Sequence, residues 1–193
     1  MVQEHAEAEV LYGAGLWWYS WDAAAADPDR VQDVGFHAVT CPEARALATM
    51  YLEDANLTPC PSSLLVRRET FLRLGGFEER FRGMYEDQAF FFKAALDSRV
   101  VVTPRSTLWY RQHADSCCAV SFRSGTATAA RLRFLQWARS YVRTNHRSER
   151  ALLAVLNRQI FDARRAQGLM GMAMRAIRRV TPSPLLDWIR SFR

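Results

Sequence analysis

The sequence is short of long apolar runs, of lysine and of paired cysteine motifs. It contains no stretch of about 18 uncharged apolar residues, the length from which a membrane-spanning helix is recognised. Its first residues are acidic and lack the positively charged start of a secretory signal. Lys93 is the one lysine among 26 basic residues, which we attribute to genome composition rather than to function. These absences predict a cytoplasmic protein without a spanning helix.

Cysteines are few, and their spacing does not indicate a structural zinc site. The four cysteines are Cys41, Cys60, Cys117 and Cys118. None of them is in a C-x-x-C motif, and adjacent cysteines such as Cys117 and Cys118 rarely form a disulfide with each other. The pattern therefore predicts free thiols. A metal site remains an alternative if one of these thiols meets His37 or His113 in space.

An apolar fraction of 49% in 193 residues is sufficient for one packed domain with a tail. Charge is distributed unevenly along the chain. Residues 1–60 have 2 basic and 10 acidic residues, residues 61–120 have 9 and 7, and residues 121–193 have 15 and 3. A basic C-terminal region can attract nucleic acid, anionic lipid or an acidic partner. No nucleic-acid motif accompanies the arginines, so we predict no nucleic-acid partner and keep nucleic-acid binding as the less favoured alternative.

The end of the chain combines apolar and basic residues. Helices are predicted over 127–143, 149–167 and 169–180, and the first two are expected to pack as an antiparallel pair. Residues 169–193 include methionines, Trp188 and Phe192 among several arginines. Such a segment suits contact with an anionic membrane surface, here the inner face. The alternative is a helix that docks on the domain.

The middle of the chain contains the candidate catalytic residues. Residues 87–96 have the spacing of a helix with Phe90 and Phe91 facing a core, which places Asp87 near the helix N-terminus. Asp87 can be a helix cap, or with Glu86 it can serve as a catalytic carboxylate. The helix terminus is expected to lower the pKa of Asp87.

Two further segments, one aromatic and one rich in glycine, contain residues that could bind a ligand. Trp17 and Trp18 follow a predicted strand, and their rings can stack on a sugar or be buried in a core. Gly75 and Gly76 end a short helix predicted over 69–74; alternatively they let a ligand approach the backbone. Asp27-Pro28-Asp29 reads as a turn and also as a D-x-D metal-binding pair, although only 26 residues precede it.

A run from Leu74 to Asp87, with Gly-Gly-Phe and Glu-Asp, is followed about 26 residues later by Arg111-Gln112-His113. With the Val-rich strand at 100–102, this order of segments resembles the C-terminal half of a family 2 glycosyltransferase with the GT-A fold. The resemblance extends from about Val10 to about Ala119 and is densest between Pro61 and Ser116.

The resemblance implies an α/β fold: a partial GT-A domain that lacks the N-terminal nucleotide-binding half, followed by C-terminal helices. We accordingly expect a catalytic and acceptor half at residues 1–122 and an arginine-rich helical extension at 123–193. A truncated gene or a separate chain would account for the missing half. The sheet is then expected to have an unpaired edge and an uncovered apolar face, which favour self-association.

The resemblance also implies inverting transfer of a sugar from a nucleotide-sugar donor to a carbohydrate, lipid-linked or protein acceptor, as in bacterial polysaccharide biosynthesis. Asp87, with Glu86, would be the catalytic base, and His113 would hold Mg²⁺ or Mn²⁺. The expected substrate-binding residues are Gly75, Gly76, Arg111, Trp17 and Trp18. Alternatives are a salt bridge between Arg111 and Asp115, a purely structural His113, and a non-catalytic binding module of the same fold.

Overall fold

The computed structural model describes residues 5–180, with side chains described as far as residue 168. The chain is a mixed α/β structure in which a small mixed sheet is packed with helices, as the sequence predicts. The strands are β1 (Val10–Trp18), β2 (Arg30–Val31), β3 (Leu64–Val66) and β4 (Val100–Arg111). The helices are α1 (Ala44–Glu53), α2 (Arg68–Arg73), α3 (Glu86–Asp97), α4 (Cys117–Arg123), α5 (Ala127–Asn145) and α6 (Arg150–Val180).

Strand β1 is the centre of the sheet. It pairs with β4 in parallel along its whole length, and its other edge pairs antiparallel with β3 at Val10–Tyr12 and with β2 at Leu16 and Trp17. The parallel β1 and β4 therefore end together, so that Trp17 lies beside Tyr110 and Trp18 beside Arg111.

Strand β4 is longer than the sequence suggests. The pattern predicts two pieces, at 100–102 and 108–112, because Pro104 cannot donate a ladder hydrogen bond. The structure joins the pieces into one strand whose register with β1 shifts on both sides of Ala14. The extra residues around Pro104 are accommodated as a β-bulge, which keeps the two ends of the strand in one sheet.

Helices α1 and α3 pack on the sheet through a continuous apolar core. Tyr12 of β1 is fully buried, meets the Phe91 ring edge-on at 6.2 Å, and accepts a hydrogen bond of 2.7 Å from the Tyr51 hydroxyl. Helix α3 is buried on all sides: its residues from Ala89 to Ala95 are buried without interruption, and Phe90, Phe91 and Phe92 are fully buried.

The C-terminal helices belong to the same core. Phe134 and Leu135 of α5, together with Leu156 and Ile160 of α6, are buried in the cluster that contains Tyr12. The predicted antiparallel pairing of these helices is consistent with their extensive packing against each other. The boundary predicted between residues 122 and 123 is not marked by a separate core, and it stays a prediction.

Two helical features differ from the sequence prediction. Helix α6 continues through Gly168, where the sequence predicts a break before 169–180, because a single glycine weakens a helix without ending it. Helix α4 was not predicted; Ser116 begins it by accepting a 3.2 Å hydrogen bond from the Ala119 amide. The predicted membrane contact through 169–193 lies outside the residues whose side chains are described. Within residues 5–180, no helix has both the length and the apolar character that crossing a bilayer requires.

One edge of the sheet is open within residues 5–180. Among the described residues, strand β3 pairs with β1 alone, and its Leu65 side chain is 56% exposed. An unpaired edge is one feature that the resemblance predicts. Self-association through it stays a prediction.

Candidate active site

A cleft of about 370 Å³ lies where β1 and β4 end and α3 begins. Trp17 and Tyr110 form one side, and Asp87 at the start of α3 forms another. Cys60, in the segment before β3, and Cys118, in the first turn of α4, complete the wall. The cleft therefore brings together residues that are up to about 100 positions apart in the sequence.

Asp87 is held at the first turn of α3 by an unusual backbone conformation. Helix α3 begins after Tyr85, which has a φ of 75° and is the one residue other than glycine with positive φ among residues 5–180. The Tyr85 ring is buried and stacks on Phe134 at 5.1 Å, so packing holds this left-handed conformation. The next two residues, Glu86 and Asp87, are thereby fixed at the edge of the cleft.

One carboxylate oxygen of Asp87 has a backbone partner and the other has none. Oδ1 accepts a 2.7 Å hydrogen bond from the Gln88 amide, as a capping side chain would. Among residues 5–168, whose side chains the structure describes, none donates a hydrogen bond to Oδ2. Capping and catalysis are therefore compatible roles for Asp87, because the cap uses one oxygen.

The expected lowering of the pKa of Asp87 is wrong. Burial is the largest influence and raises the pKa of this carboxyl; the hydrogen bond from the Gln88 amide opposes the rise, and the charge of Glu86 adds to it. The sequence argument counted the helix terminus but could not count desolvation, which depends on the surrounding wall. A raised pKa makes Asp87 a stronger base than an exposed carboxylate, provided that it is ionised.

Glu86 lies beside Asp87 and does not line the cleft. Its Oε2 is shielded from solvent and has no hydrogen-bond partner among the described residues. Glu86 therefore influences the neighbouring carboxylate through its charge.

Two thiols lie near Asp87 in the cleft, and no pattern in the sequence predicts this. Burial raises the pKa of Cys60 to about 11, with smaller contributions from Asp87 and Cys118. Burial also raises the pKa of Cys118. Both thiols are therefore protonated at neutral pH and are weak nucleophiles.

Gln32 supports the wall of the cleft behind the two thiols, and no pattern in the sequence predicts this role. Its side-chain amide donates hydrogen bonds of 2.8 Å to the carbonyl oxygens of Asn56 and Thr58, and its carbonyl oxygen accepts a 3.4 Å bond from the Gly15 amide. This buried side chain joins β1 to the segment that precedes Cys60. A single glutamine in a polar loop has no sequence signature for such a role.

The two tryptophans predicted to bind substrate point in different directions. Trp17 lines the cleft and lies under the guanidinium of Arg30, 4.5 Å from the ring centroid. Trp18 lies on the other side of the strand, where Trp109 contacts it edge-on at 5.1 Å. The structure therefore brings Trp17, but not Trp18, together with Asp87.

Arg111 also lies away from the cleft. Its guanidinium is 5.6 Å from the Trp18 ring and 5.0 Å from the Trp21 ring. It forms no ion pair with the side chains described, those of residues 5–168, so the alternative salt bridge with Asp115 is not observed. Its neighbours Tyr110, in β4, and Gln112, just after β4, are the residues that line the cleft.

Gly75 and Gly76 form a turn outside the cleft. Both have positive φ, 72° and 59°, which favours glycine. The Gly76 carbonyl accepts a 2.9 Å hydrogen bond from the buried Lys93 ammonium, which also bonds Glu78 at 3.1 Å. The turn therefore ends α2 and provides a hydrogen-bond acceptor for the ammonium group of Lys93. A donor-binding role for these glycines stays a prediction.

His113 follows β4 and is exposed. Gln112 and Ser116, on either side of it, line the cleft, whereas His113 does not. No three histidine, cysteine or acidic side chains in the described part of the chain are grouped closely enough to hold a metal ion. His113 alone offers one ligand, so the described residues do not form a complete site for Mg²⁺ or Mn²⁺.

The Asp27-Pro28-Asp29 segment has a structural role. Asp29 Oδ1 accepts the Tyr19 and Ser20 amides at 2.7 and 2.8 Å, and Oδ2 accepts the Ser20 hydroxyl at 2.6 Å. These hydrogen bonds lower the pKa of Asp29. The Asp29 oxygens already stabilise the turn after β1. Of the two roles considered for Asp27-Pro28-Asp29, the turn therefore accounts for these hydrogen bonds.

A larger cavity of about 470 Å³ adjoins the cleft. It is formed mainly by α5 and α6, and it shares Tyr85 and Phe122 with the cleft. Its wall is predominantly apolar and contains Arg131. We place the candidate chemistry in the smaller cleft because that is where the carboxylate lies.

A mixed sheet flanked by helices, with a carboxylate in the cleft where two parallel strands end, is an α/β arrangement that enzymes of many classes share. The family described as glycosyltransferase like family 2 matches residues 17–150, which is more than half of the chain. The chain therefore belongs to glycosyltransferase-like family 2, and the predicted resemblance is confirmed. No curated protein and no solved structure matched the chain.

Proposed function

We propose that this protein takes part in inverting sugar transfer from a nucleotide-sugar donor to an acceptor hydroxyl, with Asp87 as the general base. The observation that carries the proposal is the half-buried Asp87 carboxylate in the cleft, with one oxygen held by the Gln88 amide and the other without a partner among the residues whose side chains are described. Membership of the glycosyltransferase-like family supports the reaction class.

The proposed chemistry needs one proton acceptor in a defined position. The acceptor oxygen forms a bond to the anomeric carbon while the bond from that carbon to the diphosphate oxygen breaks, and the diphosphate leaves with the electron pair. The acceptor's proton moves to Asp87 Oδ2. Because attack comes from the face opposite the leaving group, the anomeric configuration inverts.

The cleft walls supply orientation and exclude water. Trp17 and Tyr110 present aromatic surface to the cleft, and aromatic surface suits the apolar C–H face of a sugar. Tyr85, locked against Phe134, fixes the carboxylate so that little reorganisation accompanies proton transfer.

Divalent metal ions are common in family 2 glycosyltransferases, and a bound ion would stabilise the departing diphosphate. The described residues offer no complete donor set for such an ion, so no step above is assigned to one. We keep His113 as a proposed single ligand.

We also propose that the protein belongs to a bacterial polysaccharide pathway and acts at the inner face of the membrane through residues 169–193. The family and the composition of this segment are the basis of this proposal.

Asp87→Asn tests the proposal. The variant keeps the side-chain volume and the carbonyl that caps Gln88, but an amide cannot accept the proton. We expect transfer, measured as sugar incorporated from radiolabelled nucleotide sugars, to fall by about 10²–10⁴-fold, with donor affinity by calorimetry nearly unchanged. Glu79→Gln, at an exposed carboxylate outside the cleft, is the matched control.

Two outcomes contradict the proposal in different ways. If Asp87→Asn retains transfer within a few-fold of the parent protein, Asp87 is not the base. If the folded parent protein neither binds nor turns over any nucleotide sugar, the non-catalytic binding module is the correct function.

A further inference from the structure

The outer side of α6 is a basic surface with one aromatic ring among its arginines. Helix α6 packs on α5 and α1 through its other side, where Leu156 and Ile160 are buried in the core. Phe161 points away from that core and is 65% exposed. The outer side also has four exposed arginines, which are Arg150, Arg158, Arg164 and Arg165. We call Phe161 and these four arginines the arginine face.

Helical geometry brings the members of the arginine face together. Residues three or four positions apart are neighbours on one side of a helix, so Arg158, Arg164 and Arg165 surround Phe161. Arg150 precedes Phe161 by 11 residues, which is close to three full turns, and therefore lies on the same side. The exposed ring is thus placed in the middle of a group of guanidinium groups.

Few carboxylates oppose the charge of this surface. Among the side chains of residues 5–168, Arg158 is the one arginine of the face that forms an ion pair, 2.7 Å from Glu53. Asp162 is the one acidic residue of α6, and it lies toward α5, where it lines the larger cavity together with Arg131. The arginine face therefore has a net positive charge.

The position of Phe161 among arginines indicates the kind of partner. A single exposed apolar side chain is common on protein surfaces and needs no explanation by itself. An anionic bilayer has phosphates at its surface and hydrocarbon directly beneath them, so it can receive guanidinium groups and an exposed ring at the same time. Nucleic acid offers phosphates without a continuous apolar layer beneath them, and no nucleic-acid motif accompanies these arginines. The combination therefore favours a lipid surface.

We infer that the arginine face of α6 docks the protein on an anionic lipid bilayer, with the arginines on the lipid phosphates and the Phe161 ring at the boundary of the hydrocarbon. The membrane contact proposed above for residues 169–193 is based on composition. The arginine face is a different surface, within residues 150–168, and it is defined by packing and exposure. Docking requires neither a sugar donor nor turnover.

The test is co-sedimentation of the full-length protein with vesicles of phosphatidylcholine alone or mixed with phosphatidylglycerol. We expect binding to the mixed vesicles that weakens as salt is added, because exposed charges are screened. Phe161→Ala should lower the partition coefficient by about fivefold, since an apolar contact is lost. Arg164→Gln/Arg165→Gln should lower it by about tenfold or more, because each arginine near an anionic surface contributes a factor of about five.

Two control variants match these changes. Trp109→Ala removes a ring that is 66% exposed on β4. Arg82→Gln/Arg105→Gln removes the same charge from two exposed positions outside α6. Both controls should bind the mixed vesicles nearly as the parent protein does, and circular dichroism verifies that every variant is folded.

Absence of binding to the mixed vesicles overturns the inference, and so does binding that the variants of the arginine face leave unchanged. If Trp188→Ala or Phe192→Ala alone abolishes binding, the contact lies in the last residues of the chain and the inference is wrong. Binding of duplex DNA without binding of vesicles would identify a nucleic-acid surface and would also overturn it. Asp87→Asn should bind the vesicles as the parent does, so failure of the Asp87 assignment and failure of this inference are separate results.

Discussion

At the scale of single residues, the environment of Asp87 decides what it can do. Its position at a helix terminus favours the ionised form, but removal from water and the neighbouring Glu86 act in the opposite direction and prevail. Tyr85 holds the carboxylate in this position at the cost of a left-handed backbone, which amounts to about 1–3 kcal/mol for a residue other than glycine. Strain and desolvation together are typical of a carboxylate placed for chemistry rather than for stability.

Glu86→Gln should shift the pH dependence of transfer. Removing this charge removes one cause of the raised pKa of Asp87, so Asp87 ionises at lower pH. Activity requires the ionised form, and the acidic limb of the kcat/KM profile should therefore move to lower pH. The plateau rate should fall modestly, since a weaker base accelerates proton transfer less.

The measurement is kcat/KM for transfer between pH 4 and pH 9, with Glu79→Gln as an exposed carboxylate control. An acidic limb that stays in place in Glu86→Gln would show that the limb does not report Asp87. A shift to higher pH would contradict the sign of the proposed charge interaction.

The apolar positions after Asp87 predict the start of α3 to within a residue of where the structure has it. The role of Asp87 as a base comes from the resemblance and stays a prediction. Sequence reasoning could not separate Trp17 from Trp18, since which of two successive strand residues faces a cleft depends on packing that periodicity does not encode. Gln32, Cys60 and Cys118 were missed for a related reason. Gln32 and Cys60 reach the cleft through loop conformation, and loops have no period. Cys118 reaches it on α4, a helix too short to give a periodic signal.

At the scale of secondary-structure elements, α1 and β1 are connected by a buried hydrogen bond between two tyrosine hydroxyls. The hydroxyls of Tyr51 and Tyr12 are 2.7 Å apart, and the two side chains are 3% and 0% exposed. Burial raises the pKa of both phenols, so the pair is neutral at any ordinary pH. Each hydroxyl is the partner that satisfies the other.

Tyr51→Phe should destabilise the protein by about 1–2 kcal/mol, because it leaves the Tyr12 hydroxyl buried without its partner. The double variant Tyr12→Phe/Tyr51→Phe should cost less than the sum of the single variants, since no orphan remains. Urea denaturation followed by circular dichroism gives these values. Tyr110→Phe, at a residue that is 43% exposed, should change stability by less than about 0.5 kcal/mol. If the loss of stability in the double variant equals the sum of the losses in the two single variants, the two hydroxyls are not coupled.

Helix boundaries were predicted better than strand pairing. The predicted helices at 42–54 and 87–96 correspond to α1 and α3, because both have a clear apolar stripe. The bulge in β4 and the short β2 were not foreseen, since each depends on a partner strand that is distant in the sequence. The same limitation applies to α4, whose seven residues are too few for a periodic signal.

At the scale of the whole molecule, one core joins the sheet to the C-terminal helices. Phe134 of α5 contacts Phe81, Tyr85 and Phe92, so it connects the segment around the cleft with the helical region. The family match at residues 17–150 likewise extends across the predicted boundary at 122/123. If the two regions depend on each other for folding, a change in α6 must affect the cleft.

Leu156→Ala tests this dependence. Leu156 is fully buried in α6, and truncation of such a side chain costs about 2–5 kcal/mol through lost burial and the cavity left behind. We expect one cooperative urea transition, shifted to lower concentration, in which tryptophan fluorescence and circular dichroism coincide. Phe161→Ala on the same helix should cost far less because its ring is already exposed to water. Two separate transitions, with the fluorescence of the cleft region unaffected by Leu156→Ala, would instead establish residues 123–193 as an independent unit, and Tyr85 would then have to be positioned by the first 122 residues alone.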